Sequence, residues 1–271
     1  MEAMTSPVLD VWRFRGSIRF LVQRDLAVKY QQSFLGYLWS LIEPLMMGAI
    51  YYFVFGVLYG ERAVPEGGGP KYIVYLLSGI FAYMWVSGTL SEATGALLNQ
   101  KNLITTMNVP REVFPIGRVV ARFAEFAAGL PILFLAALLA RAEFTWSLLA
   151  IPLAVLLQAT FLIGIGLLLS AVNVMLRDIE RFMRLVQRMV FYGSPIIYPL
   201  DKVTDELPAW GQAIYLANPL VGILEIHHAA WYPQLFPSAG LLITSVVGCL
   251  ITLGGGWWVF HRLEPAVLKE L

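Results

Sequence analysis

Arg24-Asp25-Leu26-Ala27-Val28-Lys29-Tyr30-Gln31-Gln32-Ser33-Phe34-Leu35-Gly36-Tyr37-Leu38-Trp39 carries a basic, polar stretch into a long apolar run over residues 41–59, with no evident loop between them. Arg24 and Lys29 suit the anionic inner face of a membrane, while Tyr37 and Trp39 suit its headgroup layer. The chain is therefore expected to enter a bilayer here, from the inside.

The rest of the composition agrees. Of 271 residues, 58% are hydrophobic and 14% charged, and the mean hydropathy is +0.69. Soluble domains carry about 25% charged residues, so this is the composition of a polytopic membrane protein. A net charge of +1 gives no reason to propose a nucleic-acid partner. Cys249 is the sole cysteine, so no internal disulfide can form. No cleavable signal peptide is expected, because the first 35 residues hold five Arg/Lys and no uninterrupted apolar core.

About 20 apolar residues are needed to cross the hydrocarbon core as a helix. Six stretches qualify: 37–59, 72–98, 119–140, 147–174, 182–198 and 238–260. The fifth carries Arg184 and Arg188 in its first turns and is interrupted by Gly193-Ser194-Pro195; arginines near a helix end can snorkel to the interface. With an inner N-terminus, fifteen Arg/Lys fall in the inside segments and four outside, which places both termini in the cytoplasm. A further apolar stretch, 213–232, is broken at Asn218-Pro219 and loaded with Glu225, His227 and His228. Residues 195–237 are accordingly read as helices that dip into the outer leaflet and return. Before the first span, Val11, Phe14, Ile18, Leu21 and Val22 recur at helical spacing, the pattern of an interfacial amphipathic helix. The expectation is one all-α transmembrane domain. It comprises a cytoplasmic interface segment (1–35), a six-span bundle (37–260) and a cytoplasmic tail (261–271).

Missing motifs limit the chemistry. There is no G-x-x-x-x-G-K-[ST] phosphate loop, so ATP is not held in that manner, and no cluster has metal-ligand spacing. His227 and His228 are adjacent and point to different sides of a helix. Glu43, Glu92 and Glu125 fall inside the expected spans, where an acid can serve proton coupling; the plainer alternative is that interface water or Arg122 satisfies Glu43 and Glu125. Ser87, Ser91 and Gly95, beside Glu92, favour close helix packing.

Two inner segments, 99–118 and 175–184, mix charges with apolar residues that a solvated turn does not need. Leu103, Met107 and Pro110 read as a docking surface, with Arg111, Asp178 and Arg181 as rim charges. Aromatics concentrate in the first two spans. Tyr37, Trp39, Tyr59 and Tyr72 suit the interfacial belts. For the deeper ones, among them Tyr51, Tyr52, Phe55, Phe81, Tyr83 and Trp85, stacking on sugar rings and packing against lipid remain open alternatives.

The stretch Arg24-Asp25-Leu26, Lys29-Tyr30, Gln32-Ser33-x-Leu35-Gly36-x-Leu38-Trp39 and Glu43-Pro44-Leu45 resembles the N-terminal signature of the type-2 ABC exporter permeases that move bacterial polysaccharides such as O-antigen, galactan, teichoic acid and capsule. Asn108-x-Pro110-Arg111, Arg177-Asp178, Ser194-Pro195-Ile196-x-Tyr198 and Asn218-Pro219 follow in the family's order. The resemblance implies a homodimer in the bacterial inner membrane, joined by two separate ATPase subunits that hold ATP and Mg. It implies no cofactor in this chain and a lipid-linked glycan as cargo. It assigns the two inner segments to ATPase contact, residues 35–39 to a lateral gate, and residues 195–237 to the external exit. The path is expected to be lined by Tyr37, Trp39, Tyr51, Tyr52, Phe55, Phe81, Tyr83 and Trp85. Arg24 and Lys29, or Arg15 and Arg19, are expected to draw the pyrophosphate. A drug exporter of the same fold is the nearest alternative. A polyprenyl-lipid enzyme would need an aspartate-rich motif, which is missing.

Overall fold

The computed structural model describes residues 13–31, 33–58, 72–106, 109–142 and 144–270, and among them every regular element is helical. In chain order these are α1 (Arg15–Tyr30), α2 (Trp39–Tyr51), α3 (Tyr72–Thr94), α4 (Ala96–Asn99), α5 (Lys101–Thr106), α6 (Val113–Leu139), α7 (Ala150–Met175), α8 (Ile179–Gly193), α9 (Leu200–Thr204), α10 (Ala209–Leu216), α11 (Pro219–Ala229) and α12 (Ala239–Glu270). A 3₁₀ turn at Gly36–Leu38 leads into α2, and the π-helical Tyr52–Leu58 extends it.

The opening stretch is not continuous. α1 stops at Tyr30, and Gly36 takes φ +50, a left-handed turn that glycine adopts without a Cβ penalty. The chain therefore turns between α1 and the first span rather than running straight into it.

Five described helical stretches are long and apolar enough to cross a membrane: Gly36–Leu58, Tyr72–Thr94, Val113–Leu139, Trp146–Met175 and Ala239–Glu270. α8, which overlaps the expected fifth span, has 15 residues, and Arg181, Arg184 and Arg188 are all exposed. At 1.5 Å per residue it rises about 22 Å, short of a hydrocarbon core of about 30 Å.

α3 is the buried axis: 78% of its apolar window is enclosed, against 11% for the first span. It packs on α6 and α7, while α12 lies along α7. That last crossing is close because both helices are glycine there. A Cβ on Gly256 would strike the Gly164 carbonyl oxygen, and one on Gly164 would strike the backbone of Thr252 and Leu253. A second apolar cluster joins Leu21 of α1, Leu97, Ile104, Val113, Val174, Phe260 and Val267. It thus gathers one end of the bundle, where most of the arginines lie.

Beyond α8 the backbone is irregular yet buried from Ser194 to Ile197. Its carbonyls are satisfied by side chains from afar. His228 Nε2 donates to Pro195 O at 2.9 Å, Tyr75 Oη to Tyr198 O at 2.8 Å, and Tyr72 Oη to Ile197 O. Tyr72, expected in an interfacial belt, is therefore an interior residue, because its hydroxyl is needed by this loop. Asn218 caps α11 through its side-chain oxygen, which accepts from Leu220 N at 3.1 Å, and Pro219 begins the helix.

Candidate functional site

α1 is fastened to α6 at the arginine-rich end by side chains of opposite charge. Asp25 accepts from Arg24 at 2.9 Å and from Arg118 at 3.0 Å. Glu125 accepts from Lys29 at 2.7 Å, from Tyr30 Oη at 2.8 Å and from Arg122 at 2.6 Å. Arg122 also pairs with Glu92 on α3. Its neighbour Gly88 leaves the space that the arginine stem fills, since a Cβ there would lie 2.7 Å from Arg122 Cδ. The network holds four cations, Arg24, Lys29, Arg118 and Arg122, against three carboxylates, Asp25, Glu92 and Glu125. Burial and the Glu125 carboxylate raise the Tyr30 hydroxyl well above its usual range, so it stays a donor.

Lys29, Tyr30, Arg122 and Glu125 of this network form one wall of a cleft of about 740 Å³ where α1, α2, α3 and α6 meet, with Trp39, Glu43, Phe81 and Trp85 among its other walls. A smaller cavity of about 360 Å³ behind it shares Lys29 and Glu125, and is lined by Arg24, Asp25 and Arg118. The structure thus brings Arg24 and Lys29 to one place, each already paired: Arg24 also donates to Gln100 Oε1 at 2.8 Å. An ammonium carries three N–H donors and a guanidinium five, so both cations keep donors beyond these bonds that an arriving anion can share with the resident carboxylates. Arg15 and Arg19 lie one or more turns earlier on α1, and Arg15 lines a different groove.

A family model described as ABC-2 type transporter matches residues 16–230. The chain belongs to this family. The O-antigen export system permease protein RfbA of Myxococcus xanthus is 26% identical over 265 residues, which cover 97% of this chain and 98% of that one. A protein of the same description from Klebsiella pneumoniae is 29% identical over 248 residues, 90% of each chain. The polysialic acid transport protein KpsM of Escherichia coli is 24% identical over 268 residues, 94% of this chain and 96% of that one.

In this ABC-2 type chain the expected path residues fall into two groups. Tyr37, Trp39, Tyr51, Tyr52 and Phe55 keep part of their surface open on or near α2. Phe81, Tyr83 and Trp85 are enclosed by the chain's own bundle, at 2%, 8% and 2% exposure. Trp85 Nε1 donates to Val119 O at 3.1 Å and Tyr83 Oη to Gln187 O at 2.8 Å, so these rings join helices together. Phe81 and Trp85 reach the cleft only as part of its wall.

The expected docking residues also divide. Asp178 and Arg181 are 96% and 80% exposed in their side chains, so the chain's own fold leaves both open. Arg111 instead pairs with Glu264 of α12 at 3.1 Å, and Leu103 and Pro110 are half-buried. Met107 lies outside the described residues. The sequence reading missed Gln187. Its amide donates to Ser91 Oγ at 2.9 Å and accepts from Ser87 Oγ at 3.2 Å, so α8 is clamped to the serine stripe of α3. Only the stripe itself signalled that contact.

Proposed function

We propose that this chain is the transmembrane subunit of an ATP-driven exporter of lipid-linked polysaccharide, of the O-antigen or galactan type, in a bacterial inner membrane. The observation that carries the reading is the similarity to permeases named for O-antigen export, which covers 97% and 90% of this chain. The geometry supports it with a cleft of about 740 Å³ that opens between α1 and the first span at the charged end.

In this reading the arginine-rich end is cytoplasmic, as the inside bias of Arg and Lys favours. α8 and the buried segment after it make the fifth of six crossings, and α9, α10 and α11 form the re-entrant region at the external exit. The side-chain donors on Pro195, Ile197 and Tyr198 carbonyls support that placement, because irregular backbone at membrane depth must be satisfied by protein. The first span, with 11% of its window enclosed, leaves a face for a second copy. The half-open Tyr51, Tyr52 and Phe55 would then line a path along the dimer axis. ATP and Mg would sit on two separate ATPase subunits that dock on Asp178, Arg181 and the segment around Leu103 and Pro110. Arg24 and Lys29 would offer their remaining N–H donors to the pyrophosphate as it arrives.

The test is co-expression with the ATPase encoded beside this chain. The two should co-purify as equal numbers of each subunit, and surface polysaccharide should disappear when either is deleted. Absence of a stable complex would refute the reading.

A further inference from the structure

Outside the site just described, a groove of about 1060 Å³ runs along the flank of the bundle between α1 and α12, with Ile116 of α6 and Ile163 of α7 beneath it. That volume is at the upper end of the roughly 300–1,000 Å³ of small-ligand sites. Leu250, Leu253, Gly254 and Trp257 make an apolar wall, and Arg15 and Arg262 stand at the arginine-rich end. Among the described residues no Asp or Glu lines it. From Leu250 to Arg262 the helix rises about 18 Å, close to one leaflet of a hydrocarbon core about 30 Å thick. Leu250, Ile251 and Trp258 are 58%, 68% and 67% exposed, so the described chain does not cover this flank itself.

Gly254 sharpens the point. In a helix interior glycine costs about 1 kcal/mol relative to alanine. Two residues on, Gly256 is required by the crossing with Gly164, but a Cβ on Gly254 would meet nothing within 4 Å. The chain's own packing therefore does not need a glycine at 254. What its missing side chain preserves is the open groove.

We propose that this groove binds one anionic glycerophospholipid of the surrounding bilayer. An acyl chain lies along Leu250, Leu253 and Gly254, the tryptophans sit at headgroup depth, and the phosphate meets Arg15 and Arg262. The occupant follows from the shape and the charge together: an apolar trough one leaflet long that ends in cations. A bound lipid would fasten α1 to α12 and so fix the helix that carries Arg24 and Lys29. This inference concerns the lateral surface and stands independently of the cargo.

The full chain, purified in detergent, is titrated with phosphatidylglycerol or phosphatidylcholine and followed by native mass spectrometry and thermal unfolding. Phosphatidylglycerol should add one retained lipid per chain and raise the midpoint by several degrees, and phosphatidylcholine should do neither. Each of R15Q and R262Q should weaken retention about fivefold, the effect of roughly 1 kcal/mol per basic residue near an anionic lipid. G254L should keep the lipid-free midpoint and lose the retained lipid. Equal retention of both lipids, or unchanged retention in G254L, would overturn the proposal. So would displacement of phosphatidylglycerol by a polyprenyl phosphate from the wild type alone, since the groove would then belong to cargo. A change of mass in light scattering for G254L would overturn it too, by marking the groove as a contact between copies.

Discussion

Arg122 Nη1 lies 2.6 Å from Glu125 Oε2, and the same guanidinium reaches Glu92 on the next helix. One planar fork thus serves two carboxylates at the edge of the apolar bundle. Arg122→Gln leaves both acids without their shared cation and should cost about 3 kcal/mol or more, with low yield of folded protein. Arg122→Lys should recover part of the loss, since lysine keeps the charge but not the fork. The thermal midpoint in detergent checks both.

Lys29 is about one-third exposed in its side chain, so Lys29→Gln should cost less than about 1 kcal/mol. If the cleft handles an anionic headgroup, polysaccharide export should nevertheless fall several-fold in K29Q, and further in R24Q/K29Q, at nearly unchanged midpoint. Unimpaired export in the double variant would sink that role.

The Gly164–Gly256 crossing tolerates no side chain, because a Cβ on Gly256 would overlap the Gly164 carbonyl and the backbone there cannot yield as a side-chain tip can. Gly256→Ala should destabilise by about 1–3 kcal/mol or more. Gly255→Ala, whose Cβ would meet nothing within 4 Å, should be neutral or stabilising by up to about 1 kcal/mol. Comparison of the two midpoints separates close packing from helix propensity.

Tyr75 donates to Tyr198 O at 2.8 Å and its ring stacks on His228, with centroids 3.8 Å apart. Tyr75→Phe keeps the stack and orphans the carbonyl, which should cost about 1–3 kcal/mol. The loop around Ser194–Tyr198 should then exchange its amides faster in hydrogen-exchange mass spectrometry, with α6 and α7 unaffected.

Asp178 and Arg181 are exposed and 3.9 Å apart, so replacing them changes little inside the chain. D178K/R181E should leave stability within about 0.5 kcal/mol. It should abolish co-purification with the partner ATPase and, with it, export.

Much of the architecture was legible in the residues themselves. Five of the six expected spans coincide with long apolar helices, the first of them after a turn at Gly36. Hydropathy over about 20 residues reports a local transfer free energy, which needs no knowledge of neighbours. Asn218-Pro219 announced a helix break by its own chemistry, and the same asparagine caps α11. The Ser87–Ser91 stripe marked a packed face before its partner was known.

Partner choice is a different kind of information. Lys29 and Glu125 are 96 residues apart, and Tyr72 and Ile197 are 125 apart. No local pattern says that Arg24 and Lys29 are already paired, or that Phe81, Tyr83 and Trp85 are enclosed while Tyr51, Tyr52 and Phe55 stay half-open. Nor does it say that α8 is too short by itself to cross. The amino-acid sequence determined which segments leave water, because transfer free energy is summed residue by residue along the chain. The tertiary structure decided which charges and hydroxyls meet, because inside a low-dielectric bundle each buried polar group takes whichever partner the helix packing brings within 3 Å.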